Sequence, residues 1–470
     1  MEQDKFQYHN IARIVIEAKT PLAVGSGDKD LLTDSVVSRD ANNLPFIPGS
    51  TIAGIIRHAI RELGFDDTYF GYGKSDRKPK SEGQEQGDLY PITGRTRSHG
   101  SEIIFTSAQI VDKGGKAIEG LISSKSEYLQ KFDELPIRQH VRINEKGTAE
   151  KEKHGKFDEQ VVFKGTRFCF EIELLSMKKD DSNFTHVLNE LAKDTIRIGG
   201  GTRKGFGEIE IVECRRLKFD LSDSNDLTKY INKSSSLNDS NWILNASTNP
   251  NNQSSDNWTE YKLELTPDDF FLFGSGFGND EADMTPVTEK FIYWDDKGNP
   301  TWKEDTILIP GSSIKGAVSH RVAFHYNKLK KFFVGNENAT IGYDNEAVRA
   351  LFGFAIDNDN IQRGNVMISD VIQSKRDEKS KILNHVSIDR FTGGAIEGAL
   401  FTESVTYGKD NIYVLVFKVN NNVLKGDIEE VLEKTLFDIT NGMLPIGGGV
   451  NRGHGCFSGK IYKNSKELKI

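Results

Sequence analysis

One stretch near the start of the 470-residue chain decides its fold: Gly25-Ser26-Gly27 … Thr33-Asp34-Ser35-Val36-Val37 … Leu44-Pro45-Phe46-Ile47-Pro48-Gly49-Ser50. The chain repeats it as Gly274-Ser275-Gly276 … Ala282-Asp283-Met284-Thr285-Pro286-Val287 … Ile307-Leu308-Ile309-Pro310-Gly311-Ser312. Each stretch is followed downstream by a triple-glycine loop, Gly199-Gly200-Gly201 in the first copy and Gly447-Gly448-Gly449 in the second. Loops that recur in the same order indicate two copies of one domain.

The spacing between matching residues supports the duplication. The offset is 249 residues for Asp34 and Asp283, 248 for the first glycines of the two triple-glycine loops, and 245 for His140 and His385. Only the Pro-Gly-Ser segment departs from this pattern, because the second copy carries 13 more residues before it. These extra residues surround a turn-rich sequence at 294–300, which predicts a β-hairpin.

The composition narrows the class of protein. The three cysteines are far apart and form no CxxC pair, which argues against a disulfide framework or a zinc knuckle and predicts a cytoplasmic protein. The chain has no apolar run of membrane-spanning length and begins with polar and charged residues, so we expect no membrane partner. A net charge of -8 argues mildly against non-specific nucleic-acid binding, although a local basic groove can outweigh it.

The polar stretches divide the chain into domains. A Ser- and Asn-rich stretch at 221–258 predicts a flexible, solvated linker between a first domain at 1–220 and a second at 259–470. Two further polar stretches, 72–99 and 144–158, predict long exposed loops within the first domain.

The hydrophobic pattern predicts the same elements in both copies. Alternating apolar residues from Ala12 to Ala18 indicate a half-buried strand, and helical spacing from Ile52 to Leu63 indicates a helix capped by Ser50. In the second copy Ser312 or Ser313 is the expected cap. Further strands are predicted at 103–110, 168–174 and 207–212, and again at 366–372, 412–419 and 456–462. The order of strand, helix, strands, helix and strand predicts an α+β fold of two ferredoxin-like domains.

The glycine loops and helix starts are candidate anion sites. Glycines allow a ligand backbone to approach closely, and Arg203, Lys204 and Arg452 supply positive charge. The alternative is a tight turn that packs a helix against a strand. Free amides at the Pro-Gly-Ser helix starts attract phosphate, although an ordinary capped helix explains a single case. Lys315, placed by the sequence in the first helical turn, opposes the helix dipole and so suggests an anionic partner.

Asp34 is the sharpest candidate for chemistry. A carboxylate in a loop of small residues can orient a 2′-hydroxyl for attack on the adjacent phosphate, or hold a divalent metal. On physical grounds alone a turn-forming aspartate is the better reading. His140 and His385 are lone histidines, which are more often structural than catalytic. The sequence contains no Ser–His–Asp arrangement that can be argued from spacing, and no signature of an organic cofactor.

Together these residues resemble the RAMP (repeat-associated mysterious protein) superfamily of CRISPR effector complexes, in particular the Cas-seven-type backbone subunits of type III systems. The family pattern contains Asp-Ser-Pro-Val, Leu-Pro-x-Ile-Pro-Gly-Ser-Ser-Leu-Lys-Gly, Leu-Phe-Gly and Gly-Gly-Gly-x-x-x-Gly-x-Gly. Here the matching segments are 34–37, 44–54, 69–71 and 199–207, then 310–316, 351–353, 388–395 and 447–455. Two fused copies look like the fused backbone subunits of type III-D or related systems.

The resemblance implies an RRM-like domain that binds crRNA and assembles with other effector subunits into a filament. It implies that the loop aspartates, Asp34 and Asp283, cleave the paired target RNA in a reaction that depends on Mg²⁺ or Mn²⁺. It also implies an RNA-contact set, which comprises Ser50, Arg57, Gly199, Gly200, Gly201, Arg203, Lys204, Ser312, Ser313, Lys315, Gly447, Gly448, Gly449 and Arg452.

Two departures from the family pattern bear on these expectations. The first copy has Ala53 where the family has lysine, and the second has one residue more between Asp283 and Pro286, which predicts a displaced carboxylate. Two alternatives stay open. One is a non-catalytic RNA-binding subunit of the same complex. The other is a crRNA-processing endoribonuclease that uses a general acid–base residue such as histidine.

Overall fold

The computed structural model describes residues 6–28, 33–72, 99–143, 155–179, 182–239, 247–248, 255, 257–355, 361–372, 379–408 and 411–469. Within them both copies mix helices and strands, so the predicted α+β class is confirmed. None of the helices in this part of the chain is long and apolar enough to cross a membrane. Most of the predicted loops at 72–99 and 144–158 lies outside the described residues.

The first copy is built on one antiparallel sheet. Its elements are β1 (Tyr8–Ala18), α1 (Gly49–Glu62), β2 (Ile103–Phe105), β3 (Gln109–Ile110), α2 (Glu127–Gln130), β4 (Ile137–Val141), β5 (Lys156–Gln160), β6 (Arg167–Ser176), α3 (Ser182–Leu191) and β7 (Ile209–Asp220). Two elements follow, α4 (Ser224–Asn232) and β8 (Ser247–Thr248). The sheet order is β2-β6-β1-β7-β8, β3 also pairs with β6, and β4 and β5 form a separate hairpin.

The second copy repeats this arrangement. Its elements are β9 (Trp258–Pro267), β10 (Thr288–Trp294), β11 (Pro300–Ile309), α5 (Gly311–Leu329), α6 (Glu346–Phe352), β12 (Gly353–Ala355), β13 (Ile361–Arg363), β14 (Val366–Ile368), β15 (Val371–Ile372), β16 (Lys379–His385), β17 (Phe401–Tyr407), β18 (Tyr413–Asn420), α7 (Asp427–Thr440), β19 (Phe457–Lys463) and β20 (Lys466–Glu467). Its sheet order is β14-β18-β9-β19-β20, and β16 and β17 form the hairpin that matches β4 and β5.

The hydrophobic pattern fixes which face of each element is buried. Ala12, Ile14 and Ile16 on β1 are fully buried against Ile52 and Ile56 of α1, in the core of the first copy. The predicted strands at 103–110 and 366–372 are each broken into two short strands, and residues 156–160, expected partly as loop, form β5.

The predicted helix caps are wrong. Both helices begin at the glycine of the Pro-Gly-Ser segment, with Pro48 and Pro310 at the N-cap and no side-chain cap hydrogen bond. The serines therefore lie inside the helices rather than before them. Lys315 is the fifth residue of α5, beyond the first turn in which the sequence placed it.

The predicted solvated linker packs on the first copy over its first half. Residues 224–232 form α4, and the turn after it covers the outer face of the sheet at Arg13. Arg13 Nη2 donates to the carbonyl oxygen of Ser236 at 2.9 Å, and Leu237 is buried. This cover explains why the polar face of β1 is buried, with Arg13 paired to Glu171 at 2.7 Å. The flexibility of the remainder of 221–258 stays a prediction.

The predicted β-hairpin around 294–300 is confirmed, and it joins the two copies. Strands β10 and β11 pair across this turn. Trp294 Nε1 donates to the carbonyl oxygen of Gly165 at 2.7 Å. The ring of Trp302 lies 5.0–5.8 Å from the rings of Tyr128, Phe132 and Phe163. The insertion of the second copy therefore completes the hydrophobic core of the first.

A buried ion triad forms the centre of the junction between the copies. The guanidinium of Arg138, on β4, donates to the carboxylates of Glu289 and Asp370 in the second copy, at 3.3 Å for Nε to Glu289 Oε1 and 3.1 Å for Nη2 to Asp370 Oδ2. All three side chains are less than a tenth exposed. Burial raises the pKa of both carboxyl groups, against the opposing effect of Arg138.

We predict that Arg138→Met destabilises the protein by about 3–5 kcal/mol, because it leaves two buried carboxylates without their counter-charge. The free energy of unfolding in urea measures this change. The matched control is Lys290→Met, next to Glu289 on β10. It removes an exposed pair with Glu304 and is expected to cost at most about 1 kcal/mol. Equal losses for the two variants would contradict a stabilising role for the triad.

Candidate functional site

Each copy carries a β-hairpin with a stacked histidine and phenylalanine. His140 on β4 lies opposite Phe157 on β5, with ring centroids 4.7 Å apart. His385 on β16 lies opposite Phe401 on β17, at 4.8 Å. The same pair at the same register marks the two hairpins as equivalent.

A buried glutamate follows two residues after each phenylalanine. Glu159 Oε1 lies 2.7 Å from His140 Nε2 as an ion pair, and Glu403, whose side chain is 0 % exposed, accepts from His385 Nε2 at 2.8 Å. Burial alone would raise the pKa of each carboxyl group. In Glu159 the close contact with His140 and the charge of Lys204 outweigh it, so the pKa lies below its usual value.

The glutamates also tie each hairpin to a glycine loop. Lys204 Nζ lies 3.9 Å from Glu159, and its matching residue, Arg452, donates directly to Glu403. Glu403 accepts a further hydrogen bond from His454 Nε2 at 2.9 Å, whereas the first copy has Phe206 at that position. The bonds from His454, Arg452 and His385 outweigh burial and lower the pKa of Glu403. The second copy therefore holds its glutamate with more charge than the first.

The loop aspartates lie beside these hairpins. Asp34 Oδ2 accepts from the backbone N–H of Asp158 at 3.0 Å, and Asp283 Oδ2 accepts from that of Thr402 at 2.7 Å. Both aspartates are exposed. Asp283 is held more firmly, because the hydroxyl of Thr402 donates to the same oxygen at 3.0 Å. The Thr402 hydrogen bonds lower the pKa of Asp283.

The displacement expected for Asp283 does not occur. Ser35 pairs with Glu159, and Met284 pairs with Glu403 in the same parallel sense. Gly25 pairs with Val37, three residues after Asp34, and Gly274 pairs with Pro286, three residues after Asp283. The two loops are therefore in the same register, and both carboxylates reach equivalent positions.

The triple glycines are required for packing. Gly199 and Gly447 have positive φ, and a Cβ atom there would lie 2.4 and 2.6 Å from the carbonyl oxygens of Ala23 and Leu272. Gly201 and Gly449 have positive φ and abut an aromatic ring. A Cβ atom on Gly200 or Gly448 would meet no atom closer than 3.4 Å. The tight-turn reading thus holds for these loops, and their contact with a ligand stays a prediction.

The candidate cations have unlike surroundings. Lys204 is 37 % exposed and lies over the ring of Phe157. Arg203 is half-buried at the junction, where its Nε donates to the carbonyl oxygen of Gly364 at 2.8 Å. Burial, with Arg363 and Arg197 nearby, lowers the pKa of Arg203 to about 9.

One further candidate cation is already bound within the protein. Arg57 donates from Nε to Asp67 Oδ2 at 2.7 Å and from Nη2 to the carbonyl oxygen of Gly71 at 2.8 Å. Its guanidinium therefore has intramolecular partners, and an RNA contact at Arg57 stays a prediction.

The helix starts are less open than the sequence predicts. The amide of Gly311 donates to Asp370 Oδ1 at 2.7 Å, so the positive end of α5 already faces a carboxylate. In the first copy the amide of Gly49 reaches only the hydroxyl of Ser107, at 3.4 Å. Ser50 and Ser313 are exposed, and Ser312 is half-buried.

Sequence reasoning missed the glutamates and the residues that hold the aspartates. The signal was present, since Phe157-Asp158-Glu159 and Phe401-Thr402-Glu403 repeat at an offset of 244, next to the histidine pair at 245. Among the described residues no cluster of three or more His, Cys, Asp or Glu side chains is arranged to hold a metal ion.

The comparisons with known proteins agree with this duplicated arrangement. The model of the RAMP superfamily matches residues 15–210 and 303–458, together more than half of the chain. The chain therefore belongs to the RAMP superfamily, whose members point to a CRISPR-associated RNA-binding subunit. The search of curated proteins finds no match.

We predict that Glu403→Gln destabilises the protein by about 3 kcal/mol at neutral pH, because it removes the charge shared by His385, Arg452 and His454. Since the folded protein lowers the pKa of Glu403, this stabilisation is complete above the usual glutamate pKa of 4.5 and is lost as the pH falls through the lower folded value. Urea unfolding at several pH values measures the difference between variant and wild type.

The control for this prediction is Glu397→Gln, at an exposed glutamate of the same hairpin. It is expected to change stability by no more than about 0.5 kcal/mol. A loss for Glu403→Gln that does not shrink in acid would show that the carboxylate charge is not the stabilising feature.

Proposed function

We propose that this chain is a tandem backbone subunit of a type III CRISPR effector complex, similar to type III-D, which binds crRNA and cleaves guide-complementary target RNA. One observation carries the proposal. Both copies place a loop aspartate, a hairpin held by a His–Glu pair and a glycine-loop cation in the same arrangement.

The topology supports two ferredoxin-like, RRM-like domains. In the first copy the order along the chain is β1, α1, β2, β6, α3 and β7, with β1 and β6 at the centre of the sheet. In the second copy it is β9, α5, β14, β18, α7 and β19. This is the strand–helix–strand–strand–helix–strand order of ferredoxin-like domains.

The chemistry proposed for Asp34 is general base catalysis. Its carboxylate takes the proton of a 2′-hydroxyl, the 2′-oxygen attacks the adjacent phosphorus, and the bond from phosphorus to the 5′-oxygen breaks. A 2′,3′-cyclic phosphate forms, and the departing 5′-oxygen takes a proton from water. A base in this role contributes roughly 10²–10⁴-fold. Lys204 of the glycine loop, which lies over the ring of Phe157 and 3.9 Å from Glu159, supplies positive charge for the phosphate.

A divalent cation fits this site only with the help of RNA. Mg²⁺ commonly binds through one or two carboxylates together with substrate phosphates, and Asp34 offers one exposed carboxylate. Asp34 would hold the ion, which would stabilise negative charge on the phosphate. The side chain of Asp158, whose backbone N–H bonds Asp34 and whose buried Oδ1 has no hydrogen-bond partner among the described residues, would be a second donor.

The second candidate function is a non-catalytic, RNA-binding role, and the observations favour it for the second copy only. Asp283 accepts two hydrogen bonds from Thr402, which lower its pKa and make it a weaker base. A histidine-dependent processing nuclease is less well supported, because His140 is buried and paired with Glu159.

We predict that Asp34→Asn removes one cut in guide-complementary RNA while crRNA binding is kept. The amide oxygen can still accept from the Asp158 N–H, so the loop keeps its shape while the base is lost. Asp283→Asn tests the second copy, and a different lost cut would show that it is active. Products are mapped on an end-labelled RNA with Mg²⁺ or Mn²⁺. A full set of cuts from Asp34→Asn would refute catalysis by this residue.

We predict that Lys204→Gln flattens the salt dependence of single-stranded RNA binding by about 0.7 in the slope of log K against log salt, the value of one phosphate contact. The loss of binding affinity should be equal for RNAs of unrelated sequence. Filter binding at several salt concentrations measures the slope, with Lys113→Gln, an exposed lysine after β3, as control. A loss that varied with RNA sequence would indicate a base contact instead.

A further inference from the structure

The junction brings the glycine loop of the first copy against the helix start of the second. Gly205 pairs with Ser369, and its carbonyl oxygen accepts from the backbone N–H of Asp370 at 3.2 Å. A Cβ atom on Gly311, at the start of α5, would lie only 2.9 Å from the Cα of Gly205. The first turn of α5 therefore packs directly on the loop that carries Arg203 and Lys204.

Lys315 faces this loop from the second copy. It follows Gly311 by four residues and so lies on the same side of α5. Lys315 is half-buried, and no carboxylate within the described residues pairs with it. The charged groups that act on it are Lys204 and Arg203, and burial together with these two cations lowers its pKa.

Arg203 reinforces the positive charge of this place. Its Nη1 is buried and has no hydrogen-bond partner among the described residues. The charges acting on Arg203 are Arg363, Arg197 and one acid, Glu62. Arg197 is already neutralised by Glu208 at 2.8 Å. Among the described residues no carboxylate is bonded to Arg203 or Lys315, and Lys204 reaches Glu159 only at 3.9 Å.

The first copy does not supply an equivalent lysine of its own. Ala53 stands at the position in α1 that matches Lys315 in α5. The glycine-loop cation of the second copy, Arg452, is bound by Glu403. Lys315 is therefore placed to serve the loop of the first copy, although it belongs to the second.

We propose that Lys315 completes the binding site of the first copy, and that Lys204, Arg203 and Lys315 together hold one phosphate of a single-stranded RNA between the copies. Cations held close together repel one another, and a phosphate group offsets that repulsion. The inference rests on the proposed RNA binding, and it adds that the first site is incomplete without the second copy.

A double-mutant cycle on the full-length chain tests this assignment. The dissociation constant for a labelled single-stranded RNA is measured for Lys204→Gln, Lys315→Gln and the double variant, and for Arg452→Gln alone and with Lys315→Gln. Residues that hold one phosphate interact. The loss of affinity in the double variant of Lys204 and Lys315 should therefore be smaller, by about threefold or more, than the product of the two single losses. For Arg452 and Lys315, the loss of affinity in the double variant should equal the product of the two single losses.

The control is Lys328→Gln, at an exposed lysine roughly 20 Å further along α5, which should leave binding unchanged. Thermal unfolding of every variant checks that the fold is kept. The composite site would be overturned, with RNA binding left in place, by either of two results. One is that the affinity losses of Lys204→Gln and Lys315→Gln multiply in the double variant, and the other is that Lys315→Gln is coupled to Arg452→Gln instead. A wild-type chain that binds no RNA would overturn the proposed function, and the inference with it.

Discussion

A single buried guanidinium determines how the two copies of this protein fit together. Arg138 must neutralise both Glu289 and Asp370, because neither carboxylate has another cation bonded to it among the described residues. Asp370 in turn bonds the amide of Gly311 and the backbone of Gly205. Breaking a buried ion group costs more than the group contributes, so such groups specify one arrangement rather than maximise stability. The first copy has Ser107 where the second has Asp370, so this joint has one orientation only.

Duplication preserved the geometry of the site and let its chemistry diverge. In both copies a glutamate joins the hairpin histidine to the glycine-loop cation. The second copy replaces Asp158 with Thr402 and Phe206 with His454, and each change adds a hydrogen bond to an acidic side chain. Its carboxylates are therefore more fully satisfied and less free to act on a ligand. Pairs of acids in unlike environments often take different roles.

Local sequence patterns predicted the elements that recur in both copies. They did not predict features that depend on contacts between residues far apart in the sequence. The constant offset predicted the duplication, and the apolar periodicity predicted β1 and α1, whereas the extra residue before Pro286 wrongly predicted a displaced carboxylate at Asp283. Serine preferences predicted caps, but Pro48 already holds the extended backbone before the helix, so Ser50 follows inside it. Arg138 and Asp370 are 232 residues apart, and no local pattern reveals that they meet. The polar composition at 221–239 suggested solvent exposure because the partner, the charged face of β1, is itself far away in sequence.

The tryptophan-bearing hairpin has a consequence for how the chain is made. Tyr128, Phe132 and Phe163 leave the ribosome well before Trp302, which covers them in the finished protein. At about 5–20 residues per second, the delay between residue 220 and Trp302 is on the order of ten seconds. During that interval the nascent first copy presents an uncovered aromatic surface to the cell. The order of the two copies along the chain thus sets a folding order, in which the second copy covers the aromatic surface of the first only after it has been synthesised.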